Sequence, residues 1–203
     1  MNHNLQKRIY NKKGFTLVEI MVATSIFMVI MLIAMGALIT SSDTSKKAQA
    51  LRTTMDNVNF AMESMTRSLR MGSDYTCITS TSFILPATEA PDCPLDGSGG
   101  EGVAIAFTPA NHTPGARDTA YVVTERADGT GTYVLQQCSD TSPCTDLVSH
   151  DVDIQKLSFH VTGSRISDKI QPSVYILMKG VVTIKGVPNV FAIQTSVSQR
   201  SSE

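Results

Sequence analysis

The distribution of apolar residues divides the chain into stretches with different periodicities. Residues 15–39 are almost continuously apolar, and Glu19 is the one ionisable residue among them. A helix of about 25 residues spans roughly 37 Å, which exceeds the ~30 Å hydrocarbon core of a bilayer. This first stretch therefore predicts a transmembrane helix.

The next stretch repeats apolar residues at alternating steps of three and four. These residues form one apolar seam along a helix: Ala48, Leu51, Met55, Val58, Met62, Met65 and Leu69. Because Gly72 supplies a stop signal, the two stretches together predict one helix from about Phe15 to Met71. Two helices, broken near Gly36 or within residues 40–45, are the alternative interpretation.

After Gly72 the apolar residues alternate with period two and are separated by turn residues. This pattern predicts seven strands: Thr81–Leu85, Val103–Phe107, Ala120–Arg126, Thr132–Gln137, Ile154–Thr162, Ser173–Ile184 and Val190–Ser198. A long helix followed by short strands predicts an α+β fold, in which a mostly antiparallel sheet buries its apolar face on the seam.

Charge is distributed unevenly, although the net charge is only −1. Residues 1–14 contain no acid and four cations: Lys7, Arg8, Lys12 and Lys13. The positive-inside rule then places the N-terminus in the cytoplasm and the residues after the apolar stretch outside. That outer part is mildly acidic, which argues against generic nucleic-acid binding.

All four cysteines lie in the part expected outside: Cys77, Cys93, Cys138 and Cys144. An even number of cysteines in an exported region indicates two disulfides, with three possible connectivities. Of these we predict the pairing of neighbours in the sequence, Cys77 with Cys93 and Cys138 with Cys144.

The N-terminal sequence KKGFTLVEIMVATSIF resembles that of type IV prepilins and type II secretion pseudopilins. In that family a prepilin peptidase cuts after the glycine that ends a basic leader, and the new N-terminal residue is N-methylated. The resemblance places the cut between Gly14 and Phe15, with methylation on Phe15. It also implies that Glu19 forms an assembly salt bridge with the Phe15 amine of a neighbouring subunit. A carboxylate that snorkels to the headgroups is the alternative role for Glu19.

Two other stretches are similar to the J-type minor pseudopilins and related minor pilins. They are the helical sequence LRTTMDNVNFAMESMTRSLRMGS and the C-terminal sequence from ISDKIQPSVYILMKGVV onward. The chain also departs from major pilins, many of which have a proline in the anchor where this chain has Gly36. Its last cysteine, Cys144, lies 59 residues from the C-terminus, whereas major pilins usually have a disulfide loop near that end.

The patterns and the resemblance together divide the chain into four segments. Residues 1–14 are a basic leader that is cleaved, and residues 15–39 are a transmembrane and assembly helix. Residues 40–72 are the amphipathic continuation of that helix, and residues 73–203 are an exported β-rich domain.

The resemblance implies a structural and assembly subunit, a minor pilin or pseudopilin of a type IV pilus or type II secretion pseudopilus. The implied partners are the prepilin peptidase, other pilins in a helical fibre, the inner-membrane assembly platform and, before assembly, membrane lipid. The implied location is a single pass through the inner membrane, followed by the fibre. The alternative is a pilin-like binding subunit whose exposed loops contact DNA, a surface or a secreted protein.

The sequence contains no catalytic constellation, so we expect neither enzyme activity nor a cofactor. Serine, histidine and aspartate occur in no triad-like context. Five residues separate Cys138 from Cys144, which is longer than the usual spacing of zinc ligands. Asp92, Asp96 and Glu101 match no EF-hand loop, so we expect a solvated turn there and no metal.

Overall fold

The computed structural model describes residues 14–80, 84–87, 92–96, 100–113, 115–164 and 170–200. Its helix and strands, in chain order, are α1 (Leu17–Met71), β1 (Ser73–Ile78), β2 (Ala104–Thr108), β3 (Thr119–Glu125), β4 (Tyr133–Ser139), β5 (Ser142–Asp146), β6 (Val152–Thr162), β7 (Ser173–Ile184) and β8 (Val187–Ser198). The chain divides into two compact units, Met1–Lys46 and Lys47–Glu203.

The described part of the first unit is the beginning of α1. No proline interrupts the sequence before Pro86, and α1 continues through Gly36 and through residues 40–45 without a break. All described residues of this unit are exposed. By length and composition, α1 is the one helix among the described residues that could cross a membrane.

The second unit contains the remainder of α1 and two antiparallel sheets. The strand order is β1-β2-β3-β4-β5 in the first sheet and β6-β7-β8 in the second. Every neighbouring pair of strands is antiparallel. The predicted α+β class is therefore confirmed.

One face of α1 and the inner faces of both sheets enclose the main hydrophobic core of the second unit. The helix contributes Val58, Ala61, Met62, Met65 and Leu69. Met65 and Leu69 are both 0% exposed, and full burial of such a side chain contributes about 1.5–3 kcal/mol. Across the core lie aromatic side chains from three strands, Phe107, Tyr121 and Phe159.

The C-terminal end of α1 is held by a glycine and a buried tyrosine. A Cβ atom on Gly72 would lie 2.6 Å from the Phe107 ring, so the chain leaves the helix where only glycine fits. The Tyr75 hydroxyl lies 3.0 Å from the Gly72 carbonyl oxygen and also hydrogen-bonds to the Leu69 carbonyl oxygen. These contacts satisfy carbonyls that the helix end leaves without an intrahelical partner.

Six of the seven predicted strands have a counterpart in the structure, and one prediction is wrong. For Thr81–Leu85, residues 81–83 lie outside the described part of the chain, and Ile84 and Leu85 are not in a strand. Ile84 is 86% exposed, and Leu85 comes directly before Pro86, so these two described residues are not buried in a sheet. The strands β1 and β5 were not predicted.

Candidate functional site

The junction at the start of α1 consists of two exposed residues and a helix cap. Gly14 and Phe15 precede the helix and are exposed. The Thr16 hydroxyl accepts a hydrogen bond from the Glu19 backbone N–H at 3.3 Å, and the Thr16 carbonyl accepts one from Ile20 at 3.2 Å. Thr16 therefore occupies the N-cap position and Glu19 the third position of the helix.

The cap is not among the sequence predictions, although a signal for it is present. The run Thr16-Leu17-Val18-Glu19 has the Thr-x-x-Glu pattern of a capping box. The hydrogen bond from the Glu19 backbone to the Thr16 hydroxyl is one half of that motif. This hydrogen bond uses the backbone of Glu19, so it does not itself depend on the carboxylate that the resemblance assigns to assembly.

The structure imposes no steric requirement at Gly14. A Cβ atom added there would meet nothing within 4 Å. Any requirement for a small side chain at this position therefore comes from a partner that reads the sequence, not from the fold of this chain. The leader residues 1–13 lie outside the described part of the chain.

Glu19 lies in the first turn of α1, where the helix dipole favours a negative charge by about 0.3–1 kcal/mol. Its side chain is exposed, and no cation among the described residues forms an ion pair with it. The residues around it are apolar. Its charge has no neutralising partner within the described part of the chain.

The hydroxyl groups within the apolar part of α1 are satisfied by the helix itself. Thr24 donates to the Ile20 carbonyl at 3.0 Å, and Ser25 donates to the Val22 carbonyl at 2.9 Å. Such bonds allow hydroxyl side chains to enter a lipid environment. The Glu19 carboxylate has only acceptor atoms when it is ionised, so it cannot donate a hydrogen bond to a backbone carbonyl of the helix as these hydroxyl groups do.

The seam predicted on α1 is buried progressively along its length. Its last four members, Val58, Met62, Met65 and Leu69, are buried, whereas Leu51 and Met55 are half-buried and Ala48 is exposed. The buried face also includes Thr54 and Ala61, which the step of three and four did not select. Thr54 donates its hydroxyl hydrogen to the Ala50 carbonyl at 3.0 Å, which explains why a polar residue lies on this face.

The four cysteines form the two local pairs that the sequence favoured. Cys77 and Cys93 are bonded, with a Cα–Cα distance of 5.9 Å, and both are buried. Cys138 and Cys144 are bonded across the β4–β5 hairpin, with a Cα–Cα distance of 4.1 Å. The first disulfide lies in the core, and the second joins a buried residue to an exposed one.

The acidic residues considered for calcium have other partners in the structure. Glu101 forms an ion pair with the Lys156 ammonium at 2.7 Å, and this hydrogen bond lowers the pKa of Glu101. Asp92 accepts a hydrogen bond from the Ser164 backbone at 3.0 Å. Over the described ranges, no group of three or more His, Cys, Asp or Glu residues is arranged to hold a metal ion.

Comparison with known proteins gives one match, at the N-terminus. Residues 9–35 match the family described as the prokaryotic N-terminal methylation motif. No curated protein and no solved structure matches the chain. The match supports a subunit of the type IV pilin and pseudopilin family that is processed by a prepilin peptidase, and with the apolar helix it fits a single-pass membrane anchor.

Proposed function

We propose that this chain is a minor pilin or pseudopilin that is cut between Gly14 and Phe15 and then assembles into a fibre. The observation that carries the proposal is the Gly14-Phe15 junction at the start of an apolar helix, inside the matched residues 9–35. The new N-terminal residue, Phe15, is methylated on its amine. The family match favours this role in a structural subunit over an enzyme.

Cleavage after Gly14 creates a positive charge that can pair with the Glu19 carboxylate. The cut creates a positive amine on Phe15, four residues before Glu19. A lone carboxylate inside a bilayer costs roughly 2.5–3.5 kcal/mol on the lenient insertion scale. Pairing the carboxylate with the Phe15 amine of a neighbouring subunit removes this penalty within an assembled bundle.

The same pairing fixes the register of the subunits. A subunit that enters one helical turn out of place is displaced by about 5.4 Å, and both charges then lose their partners. Leaving one member of a buried pair unmatched costs about 3–5 kcal/mol. Glu19 therefore selects one axial position of each subunit relative to the next.

The proposed orientation puts residues 1–14 in the cytoplasm and residues 73–203 on the outer side. The four leader cations lie before the membrane segment, residues 15–39. Both disulfides belong to the outer part, which suits an oxidising compartment. The proposed route leads from a single-pass inner-membrane protein, with residues 40–72 continuing the helix, to the fibre.

The test of processing is the mass of the mature N-terminus. The chain is expressed with and without a prepilin peptidase, and the N-terminal peptide is identified by mass spectrometry. We expect methylated Phe15 with the peptidase and the intact leader without it. Because the structure leaves space at Gly14, a Gly14→Ala variant should fold normally, so any loss of cleavage reports recognition by the peptidase. An N-terminus after Ile39, or an intact leader in the presence of the peptidase, would refute the proposal.

A further inference from the structure

The last strand, β8, forms a long and uncharged edge of the second sheet. It is 12 residues long, and none of them is Asp, Glu, Lys or Arg. It pairs with β7 along its whole length without a register shift. Within the described part of the chain no strand pairs with its other side.

The backbone groups that face outward from β8 follow from one hydrogen bond. The Gln199 N–H donates to the Pro172 carbonyl at 2.9 Å, next to the Ser173–Ser198 pair. In an antiparallel pair, the backbone N–H and C=O groups of successive residues point alternately towards the partner strand and away from it. Ser198 therefore faces away, together with every second residue before it: Val190, Ala192, Gln194 and Ser196.

Two other residues agree with this alternation. Arg200 has the same parity as Ser198, and its N–H donates to the Arg70 carbonyl of α1, not to β7. Pro188, which has no N–H group, also falls on the outward-facing parity. Proline is tolerated at an edge strand where its missing N–H would have faced solvent. As far as the described residues show, the free outward groups are thus confined to residues 190–198.

Two of the three other edges of the described sheets, those of β5 and β6, are covered or protected. β5 is only five residues long, contains Pro143, and is tied to β4 by a disulfide. The outer edge of β6 is bridged by Cys93 and by Gly102. Natural proteins protect exposed edges with charges, bulges, prolines or short strands. Apart from Pro188 at its start, β8 has none of these along the free groups.

The side chains of β8 indicate what kind of strand fits beside it. On the inner face, Phe191 and Ile193 are only half-buried although they pack against the core. On the outer face, Val190 is exposed near the start of the strand, and the exposed residues after it, Ala192, Gln194 and Ser196, are small or polar. A strand with apolar residues on one face and small or polar residues on the other would cover the half-buried pair. Charged side chains on such a strand would find no oppositely charged residue on β8.

We propose that the outer edge of β8 binds an uncharged, extended segment of another subunit of the fibre, which adds a fourth strand to the sheet of β6, β7 and β8. Main-chain hydrogen bonds to residues 190–198 hold the segment, and its alternating apolar side chains cover Phe191 and Ile193. The identity of the partner as a fibre subunit rests on the proposed function. The hydrogen-bonding edge itself does not.

The binding test uses the full processed chain in detergent and a synthetic probe. The probe is a labelled heptapeptide of alternating threonine and valine with solubilising lysines beyond its ends, and the control has proline at its centre. We expect saturable binding of the probe, and at least tenfold weaker binding of the control peptide. Absent binding, or equal binding of the two peptides, would overturn the proposal.

Variants of Ala192 distinguish the contribution of its backbone N–H to probe binding from that of its side chain. Ala192→Pro removes an outward N–H and should weaken binding of the probe at least tenfold, whereas Ala192→Ser keeps the N–H and should bind as the wild type does. Ala192→Lys, which retains the backbone group but places a charge on the edge, covers the case in which the proline variant fails to fold. Wild-type binding by Ala192→Lys and by a folded Ala192→Pro would refute the role of the edge.

The partner is identified by photocrosslinking in cells that make the fibre. A crosslinking amino acid replaces Gln194, and the matched control replaces Thr183, which is exposed on the neighbouring strand β7 but is not at the edge. We expect at least tenfold more crosslinking from position 194, to a different subunit that carries a prepilin motif. Equal yields from both positions, or crosslinks only to a second copy of this chain, would overturn the proposal. Normal processing at Phe15 in the same cells distinguishes this failure from a failure of the proposed function.

Discussion

Replacing Glu19 by valine should affect membrane insertion and assembly differently. The carboxylate lies in the first turn of α1, is exposed, and has no ion-pair partner among the described residues. Its removal should make insertion of the anchor easier by up to roughly 2.5–3.5 kcal/mol. The helix start should lose only about 0.3–1 kcal/mol of dipole interaction. The variant should therefore be inserted, processed and folded.

Assembly should respond in the opposite direction. In the proposed assembly, the change leaves the Phe15 amine of a neighbouring subunit unpaired in a low-dielectric bundle, at a cost of about 3–5 kcal/mol. That cost corresponds to roughly two to three and a half decades in an association constant. We expect Glu19→Val to be lost from fibres and from crosslinks to other pilins, while membrane fractionation shows unchanged insertion.

Two control variants identify the cause of such a loss. Thr16→Ala removes the cap hydrogen bond, worth about 1 kcal/mol, but retains the Glu19 carboxylate. Glu63→Val removes another exposed acid of α1, whose ion pair with Arg67 at 3.0 Å lies on the surface and contributes at most about 1 kcal/mol. Both should assemble nearly as the wild type does. If Glu19→Val also assembled normally, or if Thr16→Ala failed equally, charge pairing would not be the explanation.

Three further predictions concern the second unit and use unfolding of the full chain in detergent. Gly102→Ala should cost about 1–3 kcal/mol, because its Cβ atom would lie 2.7 Å from the Phe159 carbonyl oxygen, and an unchanged denaturant midpoint would contradict this. Tyr75→Phe should cost about 0.5–1.5 kcal/mol through the lost helix-end hydrogen bonds, and equal stability would show that water replaces them. Hydrogen bonds from Thr130 lower the pKa of Asp128 to about 2, so its contribution is present above pH 4 and is lost as the pH falls towards 2. Asp128→Asn should therefore lose less stability than the wild type over that interval, and parallel pH profiles would refute the assignment.

The elements that the sequence predicted correctly are those with a clear apolar period. The buried part of the seam follows steps of three and four, and β7 alternates buried and half-buried residues along most of its length. By contrast, β1 has a run of four buried residues, including Thr76, so neither of its faces is marked by polarity. All five residues of β5 are exposed, and no apolar alternation marks it. The Cys138–Cys144 disulfide was predicted from the spacing of the cysteines, but the pairing of β5 with β4, which defines the strand, is not visible as a local pattern.

The helix cap and the free edge of β8 also differ in how far the sequence reveals them. The cap has a signal in the sequence, because Thr16 and Glu19 are three residues apart and need only local geometry. The free edge of β8 could not be predicted, because its availability depends on where the other strands end. The sequence shows that β8 carries no charge, but only the strand order shows that one side of it has no partner strand.

The apolar residues of the two units differ in burial, and this decides which experiment can test each unit. Every described residue of the first unit is exposed, so burial within the described part of the chain does not account for its long apolar run. In the second unit the apolar periods correspond to burial within the chain itself, as for Met65 and Leu69. Unfolding should therefore respond to Gly102 or Tyr75 but hardly to Glu19, since the Glu19 carboxylate makes no ion pair whose loss would weaken the described structure. Conversely, assembly should respond to substitution of Glu19 although stability changes by no more than about 1 kcal/mol. The helix dipole accounts for at most ~1 kcal/mol of stability from Glu19. A Glu19 variant whose free energy of unfolding fell by more than this would show that the carboxylate supports the fold, and the main reason for assigning it to assembly would be lost.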